Sequence, residues 1–220
     1  MIGEPAESRR LVVGISGASG VAFGVRLLEL LKPLPIETHL VMSKAAEMTL
    51  AYETERKPAE VKALADVSYA VADIGAAIAS GSFRTLGMVI APCSVRSMAE
   101  IATGATASLL TRAADVTLKE RRRLVLMVRE TPLHSGHLRN MLALSEMGAI
   151  IAPPVPAFYA RPASIAEMID HSLGRVLDLF GLDAGTVRRW GEESPPAGQA
   201  AASPPAPGPK PVTRQRDRRG

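Results

Sequence analysis

Four apolar runs, at residues 10–15, 37–42, 86–91 and 124–128, each give way to a short stretch of small or polar residues, and this recurrence limits the chain to few architectures. The first run, Arg10-Leu11-Val12-Val13-Gly14-Ile15, is continuous rather than alternating, as expected of a strand buried on both faces. Ser16-Gly17-Ala18-Ser19-Gly20 supplies a turn, and residues 21–31 carry helical spacing until Pro33 and Pro35 stop it. The second run leads through Ser43 into a helix reaching about Tyr52. The third ends in Pro92-Cys93-Ser94, ahead of helices over 95–102 and 105–119. The fourth is followed by a loop over 129–133, where Pro132 excludes a central strand. A helix over 135–147, a short strand over 150–152 and a terminal helix over 164–179 complete the pattern. Strands alternating with helices predict an α/β fold: a three-layer, doubly wound, mostly parallel sheet of Rossmann-like or flavodoxin-like type.

One domain is expected over residues 10–190, after a flexible lead of residues 1–9. From about residue 191, prolines alternate with Ala, Gly and Ser, too few large apolar groups to offset the entropy of ordering; residues 191–220 are expected to form a disordered tail. The formal charge of +4 says little about the folded body, because Lys210, Arg214, Arg216, Arg218 and Arg219, offset by Asp217, supply all of it. With 4% aromatic residues there is little for nucleic-acid bases to stack on, so no nucleic-acid partner is expected. No apolar run approaches the roughly 20 residues that span a bilayer. The first ten residues include Glu4 and Glu7 and lack a signal-like apolar segment. These features lead to the expectation of a cytoplasmic protein with no membrane partner. A single Cys93 excludes an intrachain disulfide.

In such a sheet, ligands bind beyond the carboxyl ends of the strands, so the loops at 16–20, 43–44, 92–97 and 129–133 should meet. The first has residues small enough for a phosphate or a ring edge to approach the backbone, and it equally suits tight packing of helix on strand. It lacks the Gly-Lys-Ser/Thr ending of a Walker A loop and does not match Gly-x-Gly-x-x-Gly. Ser43 is expected either to cap the following helix or to offer its hydroxyl to a phosphate. Ser94 and Ser97 open a helix, where hydroxyls and free N–H groups can hold an anion while Arg96 balances charge. Cys93 is read as a packed thiol.

Arg112 and Lys119, seven residues apart, fall on similar faces of one helix. Arg121-Arg122-Arg123 is expected to be a solvated turn. Arg129-Glu130 ends a strand at the functional edge, and a cation beside a carboxylate suits a reaction that separates phosphate from carbon. Tyr159 and Arg175 are candidates for the same anion, with packing and helix anchoring as their other readings. His39, His134, His137 and His171 do not form a ligand set, and no metal is expected.

Several ordered segments carry a resemblance to a known family. They are Gly14-Ile15-Ser16-Gly17-Ala18-Ser19-Gly20, Ala79-Ser80-Gly81-Ser82-Phe83, Ile90-Ala91-Pro92-Cys93-Ser94, the stretch from Leu110 to Glu120, and Leu124-Val125-Leu126-Met127-Val128-Arg129-Glu130-Thr131-Pro132-Leu133. Over about residues 10–190 the chain resembles the flavin prenyltransferases, themselves similar in fold to homo-oligomeric flavin-containing cysteine decarboxylases. Where that family commonly has Met-Lys-Thr after the serine, this chain has Val95-Arg96-Ser97, keeping a cation and a hydroxyl.

The resemblance implies FMN contacts from Gly17, Ala18, Ser19, Ser43, Ser94, Val95, Arg96, Ser97 and Arg129. It implies a dimethylallyl monophosphate site using Arg112, Lys119, Tyr159 and Arg175, and catalytic work by Ser16, Glu130 and Lys119, with Ser16 and Glu130 handling protons. The implied reaction joins the dimethylallyl group to N5 and C6 of reduced FMN, without a metal, and releases phosphate. Prenylated FMN would then pass to a partner decarboxylase, and the enzyme would be a homododecamer. The alternative is FMN-dependent oxidative decarboxylation of a cysteine-containing substrate. That group typically uses a catalytic His and a Pro-x-Met-Asn segment, whereas this chain has Pro92-Cys93-Ser94-Val95. A noncatalytic flavin carrier is the third reading.

Overall fold

The structure, a computed structural model, describes residues 9–189; the expected tail and the first eight residues of the expected lead lie outside it. Among the described residues, strands β1 (Arg10–Ile15), β2 (Glu37–Met42), β3 (Val67–Tyr69), β4 (Gly87–Cys93), β5 (Arg123–Val128) and β6 (Ile150–Ile151) form one sheet. Their order is β3-β2-β1-β4-β5-β6, and all neighbours are parallel. The helices are α1 (Val21–Leu31), α2 (Lys44–Glu53), α3 (Pro58–Lys62), α4 (Val95–Ala102), α5 (Leu109–Lys119), α6 (Ser135–Glu146) and α7 (Ile165–Asp178).

The continuous apolar runs are explained by burial on both faces. Leu11, Val13, Ile15, Val89, Val125 and Met127 pack on one side with α1 and α7, while Val12, Met88, Ile90, Leu124, Leu126 and Val128 pack on the other with α4 and α5. Each fully buried Leu, Ile or Val is worth roughly 1.5–3 kcal/mol against exposure, so both layers are strongly specified. Gly24 lets α1 lie directly on β4, since a methyl group there would overlap the carbonyl oxygen of Ala91. The sequence therefore predicts the fold class correctly, as a doubly wound parallel sheet flanked by helices.

The differences lie at ends and edges. Sequence patterning assigns nothing to α3 or β3, which are five and three residues long; β3 is only partly buried, so it has neither length nor a continuous apolar run to mark it. β4 runs two residues past the expected end at Ala91, through Pro92. A proline is tolerated there because pairing with β5 shifts register between Ile90 and Cys93, where a missing N–H breaks no regular ladder. Helix α5 begins four residues later than expected, at Leu109, because Ser108 caps it: its hydroxyl accepts from Thr111 N–H and its own N–H donates back to the Thr111 hydroxyl.

β1 lies between β2 and β4, so the chain's winding reverses at β1 and leaves a crevice beyond the carboxyl ends of β1 and β4.

Candidate active site

A cavity of about 570 Å³ fills that crevice, within the roughly 300–1,000 Å³ of small-molecule and cofactor sites. Its walls come from the loops after four strands. Gly17, Ala18 and Ser19 follow β1, Ser43 follows β2, Ser94, Val95, Arg96 and Ser97 follow β4, and Arg129 and Glu130 follow β5. Every expected FMN contact thus lines one cavity.

Each wall has a local cause. Gly17 is obligatory because the turn presses on the start of α2: a methyl group there would overlap Cβ of Ala45. Ser43 accepts from the N–H of Ala46 at 3.0 Å, and Ser94 accepts from that of Ser97 at 3.2 Å, so both are N-caps whose hydroxyls sit at the cavity wall. The Ser94 hydroxyl also donates to that of Ser97 at 3.1 Å. Arg96 pairs at 2.9 Å with Glu100, which lines the same cavity, and is 86% exposed. Ser108 and Leu110, opening α5, close the cavity on the other side.

Ser16, expected to be catalytic, immediately precedes the cavity-lining Gly17. It is fully buried and does not line the cavity; its hydroxyl donates to the carbonyl of Pro92 at 2.9 Å and accepts from Ser94 N–H at 2.7 Å. It is the pin between the loop after β1 and the loop after β4. Cys93, also fully buried, has its thiol pushed up to about 12 by burial, which leaves it a packing group.

Sequence reading missed Glu53, the last residue of α2. Its carboxylate reaches across to the start of α1, accepting from Gly20 N–H at 3.1 and 2.9 Å and from Val21 N–H at 3.0 Å. Burial opposes its charge, but hydrogen bonds from the Ser19 side chain and from the Gly20 and Val21 amides, with the charge of Arg129, hold its pKa below the usual glutamate value. The N-terminus of α1, the expected anion site, is therefore already filled by an anion of the protein. The N-termini of α2 and α4 remain facing the cavity. A signal existed: a carboxylate at a helix C-terminus is misplaced against the helix dipole, and needs a partner elsewhere. Lys44, in a loop expected at this edge but given no role there, also lines the cavity, at the equally unfavourable first position of α2.

The expected phosphate-ester residues are dispersed. Tyr159 and Arg175 line a separate cavity of about 320 Å³ with Met127, Ala152 and His171. Arg112 pairs with Asp115 at 2.8 Å, outside both cavities. Lys119 pairs with Glu120 beside Gly81. α5 leads into the amino end of β5, whereas Arg129 and Glu130 follow its carboxyl end. The six-residue strand separates the two edges by on the order of 20 Å. The neighbouring arginines are no mere solvated turn: Arg122 donates to the carbonyls of Phe83 and Gly81, both at 2.6 Å, and so fastens the Ser80–Ser82 loop next to Lys119.

Comparison with known proteins accords with this geometry. The model of the family described as Flavoprotein matches residues 3–177. The flavin prenyltransferase UbiX of Escherichia coli K12 is 59% identical over 185 residues, covering 83% of this chain and 98% of that protein. A crystal structure of AnUbiX (PadA1) in complex with FMN and dimethylallyl pyrophosphate superposes with a TM-score of 0.83 at 52% identity, covering 86% of this chain and all of the other. A structure described as a dodecameric FMN-dependent UbiX-like decarboxylase from Escherichia coli O157:H7 gives a TM-score of 0.81 at 51% identity, covering 82% and 98%. The chain belongs to the flavin prenyltransferase family.

Proposed function

We propose that this protein transfers the dimethylallyl group of dimethylallyl monophosphate to N5 and C6 of reduced FMN, with release of phosphate. The observation that carries the reading is the union, in one crevice, of the capped starts of α2 and α4 with a guanidinium and a carboxylate, Arg129 and Glu130. The relatives support it through what they are described as doing and binding.

FMN fits the crevice chemically. Gly17, Ala18 and Ser19 offer a flat, small-residue wall, and Ser43, Ser94, Val95, Arg96 and Ser97 offer hydroxyls, backbone N–H groups and one cation. Reduced FMN supplies the electron-rich ring atoms that take the prenyl carbon. Glu130, whose Oε1 accepts from Thr131 N–H at 3.0 Å, has its carboxylate anchored at the crevice wall, where it moves the proton lost as the new bonds form. Arg129 balances the negative charge of ligand and Glu130. Ser16 holds Ser94 at the crevice wall.

Lys119 and Arg112 serve the phosphate from a neighbouring copy of the chain. Within one chain Lys119 lies at the opposite sheet edge from Glu130, which is what favours a neighbouring copy as its source. The dodecameric description of the Escherichia coli O157:H7 protein supports an oligomer of that size here. Tyr159 and Arg175 complete the phosphate site. The product passes to a decarboxylase that uses prenylated FMN, and the reaction is placed in the cytoplasm.

The test is anaerobic incubation with reduced FMN and either the mono- or the diphosphate ester. The expected result with the monophosphate is free phosphate and a flavin heavier by one prenyl unit, whereas turnover of the diphosphate ester would release diphosphate instead. Unchanged flavin by mass spectrometry, from folded and flavin-loaded protein, overturns the reading. Loss of carbon dioxide from a cysteine-containing peptide would put oxidative decarboxylation in its place.

A further inference from the structure

Helix α7 carries a polar residue where its packing asks for an apolar one. Its inward face is His171, Leu173, Gly174, Val176 and Leu177, and His171 is only 6% exposed. The imidazole is turned to Tyr159: Nε2 lies 3.3 Å from the phenol oxygen, and the rings meet edge to face at 82° with centroids 5.6 Å apart. Tyr159 sits in a short 3-10 turn (Phe158–Ala160) and is 49% exposed. The turn ends at Arg161 in the left-handed region, φ 46°, a conformation that a non-glycine residue holds only when its surroundings impose it. Four residues beyond His171, and so on the same face of α7, stands Arg175, 58% exposed and paired with Asp178 at 3.0 Å, a partner that an incoming phosphate would share or displace; all three residues line the 320 Å³ cavity.

We propose that His171 is a positioning residue for anion capture, an inference that rests on the assignment of Tyr159 and Arg175 to the phosphate of the ester. A phenol has one proton to donate. If it donates to Nε2, the phosphate meets an oxygen lone pair and is repelled. With Nε2 protonated, His171 donates to the Tyr159 oxygen, and the phenol O–H is released toward the phosphate beside the Arg175 guanidinium. The imidazole thereby sets both where the hydroxyl points and which way its proton faces. A leucine in its place would fill the helix face equally well and do neither.

Three variants of the full-length, flavin-loaded protein decide the matter: His171→Leu, His171→Gln and Tyr159→Phe, with the first and third also combined. His171→Leu is expected to raise KM for the allylic monophosphate roughly tenfold, the size of one hydrogen bond to a charged ligand, while FMN retention stays as in wild type. His171→Gln, which keeps an N–H donor on a side chain of similar reach, restores most of the loss. In the Tyr159→Phe background, His171→Leu adds little, because the hydroxyl it orients is gone. Inorganic phosphate, titrated calorimetrically into the flavin-loaded protein, gives a second reading that needs no turnover: its affinity falls with His171→Leu and recovers with His171→Gln. Equal losses in both backgrounds, or phosphate affinity untouched by His171→Leu, overturn the proposal. A wild-type protein that binds phosphate through His171 yet makes no prenylated flavin would sink the functional reading and leave this one standing.

Discussion

The flavin crevice and the phosphate-ester residues are built in opposite ways. The walls of the first gather within one chain: the loops after β1, β2, β4 and β5 all end at the same sheet edge because parallel strands share a direction. The second is scattered over a separate cavity, the first turn of α5 and the far sheet edge. A doubly wound fold gathers whatever follows its strands, but a residue at the end of a helix, such as Lys119, is delivered to the edge where strands begin. Within one chain the crevice walls are therefore gathered at one edge, whereas the expected ester residues are not.

The largest effect that sharpens this contrast is expected at Glu130. Glu130→Gln keeps the shape of the crevice wall and removes the base, so turnover should fall by about 10²–10⁴-fold, the usual contribution of a positioned acid–base group. FMN retention, read from absorbance after gel filtration, should change little. Equal turnover would take proton transfer away from Glu130. Next comes a mixture. Lys119→Ala and Glu130→Gln chains, each inactive alone, should regain activity when refolded together, because some sites then draw an intact Lys119 from one copy and an intact Glu130 from another. Failure to recover any activity in verified mixed oligomers would return Lys119 to a structural ion pair with Glu120.

A smaller effect is expected at the pin between loops. Ser16→Ala leaves the partly buried N–H of Ser94 and the buried carbonyl of Pro92 without the shared hydroxyl, at a cost of roughly 1–3 kcal/mol. The loss should show as a lower thermal midpoint and weaker FMN retention, with turnover per bound flavin nearly preserved. A selective fall in turnover would instead restore Ser16 to the chemistry.

What was legible in the sequence follows the same division. Continuous apolar runs such as 10–15 mark central strands because burial on both faces leaves no alternative pattern, and the residues after them fall into the crevice by topology alone. Hence the segments around Ser43, Ser94 and Arg129 could be assigned to one site before any coordinates. Side-chain direction was not legible: Ser16 and Ser19 lie three apart in one small-residue loop, yet one is fully buried and the other lines the cavity. Long-range partners were hidden as well. Nothing local links Glu53 to Gly20, or His171 to Tyr159, since those meetings depend on how α2 meets α1 and how α7 returns over the loop after β6. Short edge elements such as β3 carry too few residues to establish a period.

The finest probe of the crevice is the acid behaviour of Glu53. Its carboxylate is more readily ionised in the folded protein than in an unfolded chain, because Ser19, Gly20 and Val21 donate to the charged form and Arg129 lies nearby. Its contribution is therefore complete at neutral pH, begins to fall as the pH drops through the ordinary glutamate value of about 4.3, and is gone only below the depressed folded value. Glu53→Gln presents an amide nitrogen where one carboxylate oxygen had accepted, and abolishes this dependence. The difference in thermal midpoint between wild type and variant should stay constant from neutral pH down to the glutamate range and shrink below it. FMN retention should follow the same curve, since Ser19 lines the crevice and is held by Glu53. A difference that vanishes well above that range would mean that the carboxylate is not held as an anion by the start of α1, and the α1 N-terminus would again be open to the phosphate of the flavin.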